Sequence, residues 1–230
     1  MQDLTVVFDL DGTLVDTAPD LVGATNHALL DAGLPPVPAG VLRPWISFGA
    51  RRMIVEALVH AGTLLPDRQV DRLLELFLAY YETNIARESR AFPGAVEAIE
   101  ALTRGGIRLA VCTNKRESLS RALLKELGLD RHFLGLAGRD TFAVHKPHPE
   151  HLLGAVRLAG GDPKRAMMVG DSDVDIQTAK AARVPVVAVS FGYTAIPVHD
   201  LAPDRVIDHY DALIPALRDL HTRRTQNPAQ

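Results

Sequence analysis

Two carboxylates two residues apart, Asp9 and Asp11, close a short apolar run and are followed by Gly12 and Thr13. At a strand end, with a glycine permitting a tight turn, both can serve one site. Taken alone, the D-x-D-G string is equally an acidic turn. Thr113 and Asn114 end a second apolar run, where a hydroxyl and an amide can donate to an anion or cap the helix that follows. Lys146 stands before Pro147, as a fixed cation or a solvated one. Asp171, Asp173 and Asp175 follow Gly170 at a helix start, where the helix dipole accommodates acids without any chemistry. Together these strings set carboxylates, hydrogen-bond donors and a cation at the ends of three strands and one loop. A hard cation such as Mg²⁺ takes oxygen ligands, few of them from protein carboxylates. A phosphate dianion beside a carboxylate nucleophile needs neutralisation by metal, lysine and donors. The inventory meets that need.

The elements that must position these residues are readable from periodicity. Leu4–Phe8, Ile107–Val111, Ala166–Val169 and Val184–Val189 are apolar runs expected as strands buried on both faces, with a weaker one at Phe133–Leu136. Helical patterns lie between and after them, near 94–104, 116–127, 149–159, 173–182 and 211–220. Alternating strands and helices predict an α/β fold, a Rossmann-like parallel sheet layered between helices. From Asp16 to about Arg90 the alternation stops, and helical stretches appear near 18–32, 50–61 and 67–87. The expected organisation is a discontinuous core of residues 1–15 and 91–220, a helical insertion over 16–90, and a polar C-terminal tail over 221–230.

The chain has 230 residues, 47% of them hydrophobic and 23% charged, with a net charge of −3, as in an ordinary globular protein. That charge offers no basic surface for nucleic acid or anionic membrane, and no run reaches the ~20 apolar residues of a membrane span. The single cysteine, Cys112, cannot form an intrachain disulfide and sits in an apolar run that suits a buried structural thiol. With no signal peptide visible, a cytoplasmic protein is expected, as monomer or homodimer. His145, His148 and His151 recur every three residues, but Pro147 and Pro149 interrupt any helix that would align them on a metal.

The strings Val6-Val7-Phe8-Asp9-Leu10-Asp11-Gly12-Thr13, Val111-Cys112-Thr113-Asn114, Lys146-Pro147, and Gly170-Asp171-Ser172 with Asp175 resemble, in order, the four motifs of the haloacid dehalogenase superfamily of phosphohydrolases. The resemblance implies a Mg²⁺-dependent phosphatase acting on a small phosphorylated metabolite. It makes Asp9 the nucleophile and a metal ligand. Asp11 becomes the acid that protonates the leaving alcohol, then the base that activates water, and its backbone carbonyl a metal ligand. Asp171 is implied as the third ligand, Thr113 and Lys146 as holders of the phosphoryl oxygens, with Asn114 and Asp175 in support. The insertion looks like the family's cap, which closes over substrate. Arg51 and Arg52, on a helix whose apolar face is Met53, Ile54, Ala57, Leu58 and Ala61, are its candidates for binding a substrate anion, a solvated surface position being the alternative.

Within the family, Asp16-Thr17-Ala18-Pro19-Asp20-Leu21, Gly138-Arg139-Asp140-Thr141-Phe142, Lys146-Pro147-His148-Pro149 and Phe191-Gly192-Tyr193 resemble the bacterial phosphoglycolate phosphatases. Arg139 stands where that group usually has glycine, and Tyr193-Thr194 replaces its usual small or glycine-containing continuation. Enzymes acting on N-acetylmuramic acid 6-phosphate share much of this pattern and keep a sugar-phosphate substrate open. Sugar phosphomutases typically carry Glu-Asp where this chain has Gly170-Asp171, which favours hydrolysis. A non-catalytic regulatory protein is the remaining reading, against which every catalytic position stands intact.

Overall fold

The structure is a computed structural model that describes residues 3–226. Val6, Val7 and Phe8 are wholly buried, as a strand between two helical layers requires. They lie in β1 (Thr5–Phe8), which pairs in parallel with β4 (Arg108–Cys112) on one side and β6 (Ala166–Gly170) on the other. Adding β5 (Gly135–Ala137), β7 (Val186–Val189) and β8 (Arg205–Ile207) gives a six-stranded parallel sheet in the order β5-β4-β1-β6-β7-β8. This is the doubly wound order, whose reversal at β1 opens a crevice at the carboxyl ends of the strands. Phe8 pairs with Val111 and Val169, so Asp9, Thr113 and Asp171 emerge within a residue of one level.

Side chains alternate across the sheet as the two-residue period demands. Val6, Phe8, Val111 and Val169 pack towards α5 (Ala95–Arg104), α6 (Glu117–Glu126) and α9 (Leu213–Gln226). Val7, Ala110, Met168 and Val186 pack towards α7 (Pro149–Leu158) and α8 (Asp173–Ala182). The helix α9 runs to Gln226, so residues 221–226 of the expected tail are helical, and 227–230 lie outside the described residues. Strand β8 is an element that periodicity missed; it is a three-residue edge strand with two residues only partly buried.

Between Asp16 and Arg90 the chain forms four helices, α1 (Ala18–Asp31), α2 (Ala39–Leu42), α3 (Ala50–His60) and α4 (Asp67–Thr83), with a 3-10 segment at Arg43–Phe48. Leu21, Leu29, Ile54, Leu73, Phe77 and Tyr81 bury their apolar surface in a cluster of their own, which also takes in Leu119 of α6 and Tyr193. The two connections to the sheet are strapped together. β2 (Val15–Asp16) pairs antiparallel with β3 (Arg90–Ala91), a two-residue ladder too short to register as alternation. Beside it, the buried Asp20 carboxylate accepts hydrogen bonds from Glu88 N, Ser89 N and Ser89 Oγ, the last at 2.6 Å.

Replacing Asp20 leaves these buried donors without a partner, and charge-assisted bonds are the strong ones. Asp20→Ala is expected to lower unfolding free energy by about 2–4 kcal/mol and the melting temperature by about 5–10 °C, read by thermal and denaturant unfolding.

Candidate active site

The four strings meet where the sheet order predicts. Asp9, Asp11, Thr113, Asn114, Lys146, Asp171 and Asp175 are all buried, and carboxylate oxygens of Asp9, Asp171 and Asp175 lie within 4.8 Å of one another. Asp175 is saturated. Its Oδ1 accepts from Lys146 Nζ at 2.6 Å, and its Oδ2 accepts from Asp171 N, Ser172 N and Ser172 Oγ. Ser172 Oγ in turn accepts from Asp175 N, which completes the capping box at the start of α8. Asp175 therefore caps a helix and anchors the lysine at once. Asp171 is held by one donor per oxygen, Thr13 Oγ1 to Oδ1 and Tyr193 N to Oδ2, both at 2.8 Å.

Two glycines make that placement possible. A Cβ on Gly12, whose φ is +83°, would sit 2.4 Å from Asp171 Oδ2, and one on Gly192 would sit 2.3 Å from the same atom. No side chain fits either position.

Asp9 is different. Lys146 Nζ lies 2.9 Å from Asp9 Oδ1, yet off the line that a hydrogen bond needs, so this buried oxygen receives no donor. Burial, then the charge of Asp175, pushes the Asp9 carboxyl up to about 7, against the pull of Lys146. Burial, then the charges of Asp175 and Asp9, also raise Asp171. Burial works against the charge of Lys146, but Asp175 and Asp9 outweigh it and hold the ammonium above its usual range. Four buried carboxylates, Asp9, Asp11, Asp171 and Asp175, face two buried ammonium groups, Lys115 and Lys146. With all four ionised, the deficit is two positive charges. With one unsatisfied oxygen on Asp9 and lone pairs remaining on Asp171, the donor set is all oxygen and fits a hard divalent cation.

Thr113 Oγ1 accepts from Lys115 N at 3.2 Å, which leaves its proton free to donate. Asn114 Nδ2 donates to Ser47 O and to Lys146 O, both at 3.2 Å, tying the 3-10 segment of the insert to the lysine loop. The carboxylate of Asp11 accepts from Lys115 Nζ at 3.1 and 3.3 Å, and Lys115 also donates to Tyr81 Oη at 2.7 Å. Lys115 and Tyr81 are site neighbours that the quoted strings did not include, and Thr13 and Tyr193 stood in those strings without a role. Lys115 follows the strand-end pair directly, and that adjacency was its one signal in sequence. Tyr193 N holds Asp171, while its Oη donates to Asp16 Oδ1 and accepts from Ala18 N.

A cavity of about 210 Å³ opens above Asp9 and Asp11, roofed by residues of the insert that include Ile46, Phe48, Met53, Leu74 and Phe77. Its size is below the ~300–1,000 Å³ of drug-sized sites. Arg51 lines it but is paired with Asp67 and Asp71 at 2.8 and 3.3 Å. Arg52 lies outside that lining, paired with Glu56 and set over the Trp45 ring. Arg116 and Arg139 are exposed at the cavity. The three histidines go separate ways. His148 caps α7, His145 meets Lys146 O, and His151 is buried between Cys112 Sγ and Gly138 O. Burial pushes the Cys112 thiol up to about 12, so it is an inert packing group.

A family model described as haloacid dehalogenase-like hydrolase matches residues 6–189. A protein of Mesorhizobium japonicum named phosphoglycolate phosphatase is 52% identical over 208 residues, covering 90% of this chain and 92% of that one. One of the same name from Agrobacterium fabrum is 49% identical, covering 92% and 91%. The crystal structure of a predicted phosphoglycolate phosphatase from Haemophilus somnus superposes with a TM-score of 0.86 at 33% identity, covering 93% of this chain and 97% of that one.

The raised carboxyl of Asp9 gives a pH signature in cation-free protein. A folded value of about 7 against an ordinary 3.8 means that folding favours the protonated acid. The contribution to stability is full below pH 3.8 and is lost as pH rises towards 7. Asp9→Asn removes that titration, so in chelator the variant should be more stable than the parent by roughly 2–4 kcal/mol at pH 8. The gap should close as pH falls to 4, as read by unfolding at each pH.

Proposed function

The chain belongs to the haloacid dehalogenase-like hydrolases, and from that premise we propose a Mg²⁺-dependent phosphoric monoester hydrolase that converts 2-phosphoglycolate to glycolate and phosphate. The observation that carries this reading is the under-neutralised carboxylate cluster on the floor of a small, apolar-roofed cavity. The names of the relatives above support the choice of substrate.

In this reading Asp9, Asp171 and the backbone carbonyl of Asp11 hold the cation, which supplies positive charge to the phosphoryl oxygens. Lys146, fixed by Asp175, and the free hydroxyl of Thr113 bind the remaining phosphoryl oxygens. An Asp9 oxygen attacks phosphorus as the bond to the glycolate oxygen breaks, and Asp11 gives that oxygen its proton. Asp11 then takes a proton from the water that attacks the aspartyl-phosphate, releasing phosphate and restoring Asp9. The helical insert, residues 16–90, acts as a cap that closes over the substrate and screens the site from bulk solvent. Asn114, bonded to Ser47 O, is one of its docking points.

Packing requires glycine at position 170, since any Cβ there would meet Asp175 at 2.4 Å.

A phosphate-release screen tests the reading. The highest kcat/KM should fall on 2-phosphoglycolate, activity should vanish in chelator and return with Mg²⁺, and Asp9→Asn should lose about 10³-fold or more of kcat while melting cooperatively. A preference for N-acetylmuramic acid 6-phosphate would replace the substrate, and turnover undiminished in Asp9→Asn would overturn the mechanism.

A further inference from the structure

Lys115 is the charged side chain whose burial the motifs leave unexplained. Only 4% of it is exposed, and it lies at the junction of the sheet and the insert. Its ammonium carries three donors. One goes to Tyr81 Oη at 2.7 Å and one to the Asp11 carboxylate at 3.1 Å. The second Asp11 oxygen, at 3.3 Å, takes the third, and Lys115 lines the cavity. When Asp11 is protonated to act as the acid, the buried ammonium loses its anionic partner, a costly state unless the substrate supplies another.

Resting on the reading of a phosphoglycolate substrate, we infer that Lys115, held by Tyr81, is the subsite for an acid group on the leaving alcohol. A proton passing from Asp11 to the bridging oxygen sets that oxygen about 2.7 Å from the Asp11 carboxyl. In 2-phosphoglycolate the acid oxygens follow within three bonds, at most roughly 3.5 Å further. Lys115 Nζ stands 3.1 and 3.3 Å from the two Asp11 oxygens, so the acid group falls beside it without rearrangement. The arginines do not compete for so short a substrate. Arg51 is engaged by Asp67 and Asp71, and Arg116 and Arg139 stand at the exposed rim. In N-acetylmuramic acid 6-phosphate the carboxylate is separated from the phosphate by a sugar ring and would miss Lys115. Selectivity for a small acid thus lies on the cavity floor, and the insert contributes to it through Tyr81.

The test compares 2-phosphoglycolate with ethyl phosphate, which has a methyl group in place of the carboxylate. Lys115→Met should lower the ratio of kcat/KM values between the two esters by about tenfold to a hundredfold, chiefly through KM for 2-phosphoglycolate. If both esters lose activity equally, Lys115 serves only to position Asp11 and the subsite is overturned. Tyr81→Phe, which deletes a single oxygen, covers the case of a misfolded Lys115→Met. It should raise KM for 2-phosphoglycolate by about threefold or more without a matching rise for ethyl phosphate, and equal changes for both would overturn the proposal. A wild-type enzyme indifferent between the two esters would overturn the substrate reading and the subsite together. A wild-type preference that survives Lys115→Met would overturn the subsite alone.

Discussion

Like charges brought together out of water are the constraint that the rest of this structure serves. Asp9, Asp171 and Asp175 approach within 4.8 Å with almost no exposure, an arrangement that repels itself in a medium of low polarity. Each acid is therefore handled separately. Asp175 is satisfied by a lysine, two backbone amides and a serine, and Asp171 by a threonine, an amide and two glycines that leave it room. Asp9 alone keeps an oxygen without a donor, and burial and the charge of Asp175 push its carboxyl up to about 7. The residue left least satisfied is the one best able to bind a cation or attack an electrophile.

The parallel sheet delivers the parts by register. Because β1, β4 and β6 run side by side and in step, groups separated by more than a hundred residues leave the sheet at one height. The helical insert adds what the sheet cannot, a set of apolar walls and one phenol reaching Lys115. Contact between the two units is polar where it meets the chemistry, through Asn114, Lys115 and Tyr193, and apolar around Leu119.

The parts that depend on local pattern were legible in the sequence. Buried strands announce themselves as apolar runs, and Asp9, Thr113 and Asp171 could be grouped because strand ends converge in such sheets. Legibility ended where tertiary approach decides. Arg205–Ile207 is too short and too exposed to read as a strand, and the β2–β3 pair has two residues a side. The pattern extended α4 to 87, whereas the helix stops at Thr83 and the chain turns to the Asp20 strap. Lys115 and Tyr81 are far apart in sequence and unremarkable alone; their meaning comes from a 2.7 Å contact. Tyr193, read in the sequence only as part of a family-like string, proves to link Asp171 with Asp16.

The strap formed by Val15–Ala91 and Asp16–Arg90 has an entropic consequence. Antiparallel partners lie about 5 Å apart, so the backbone leaves the sheet and returns to it through nearly the same point. The probability of joining β1 to β4 then depends little on how much chain is spliced between, since closure entropy grows only with the logarithm of the excursion. Such a junction lets the intervening cassette be lengthened, shortened or exchanged while the sheet beneath folds as before.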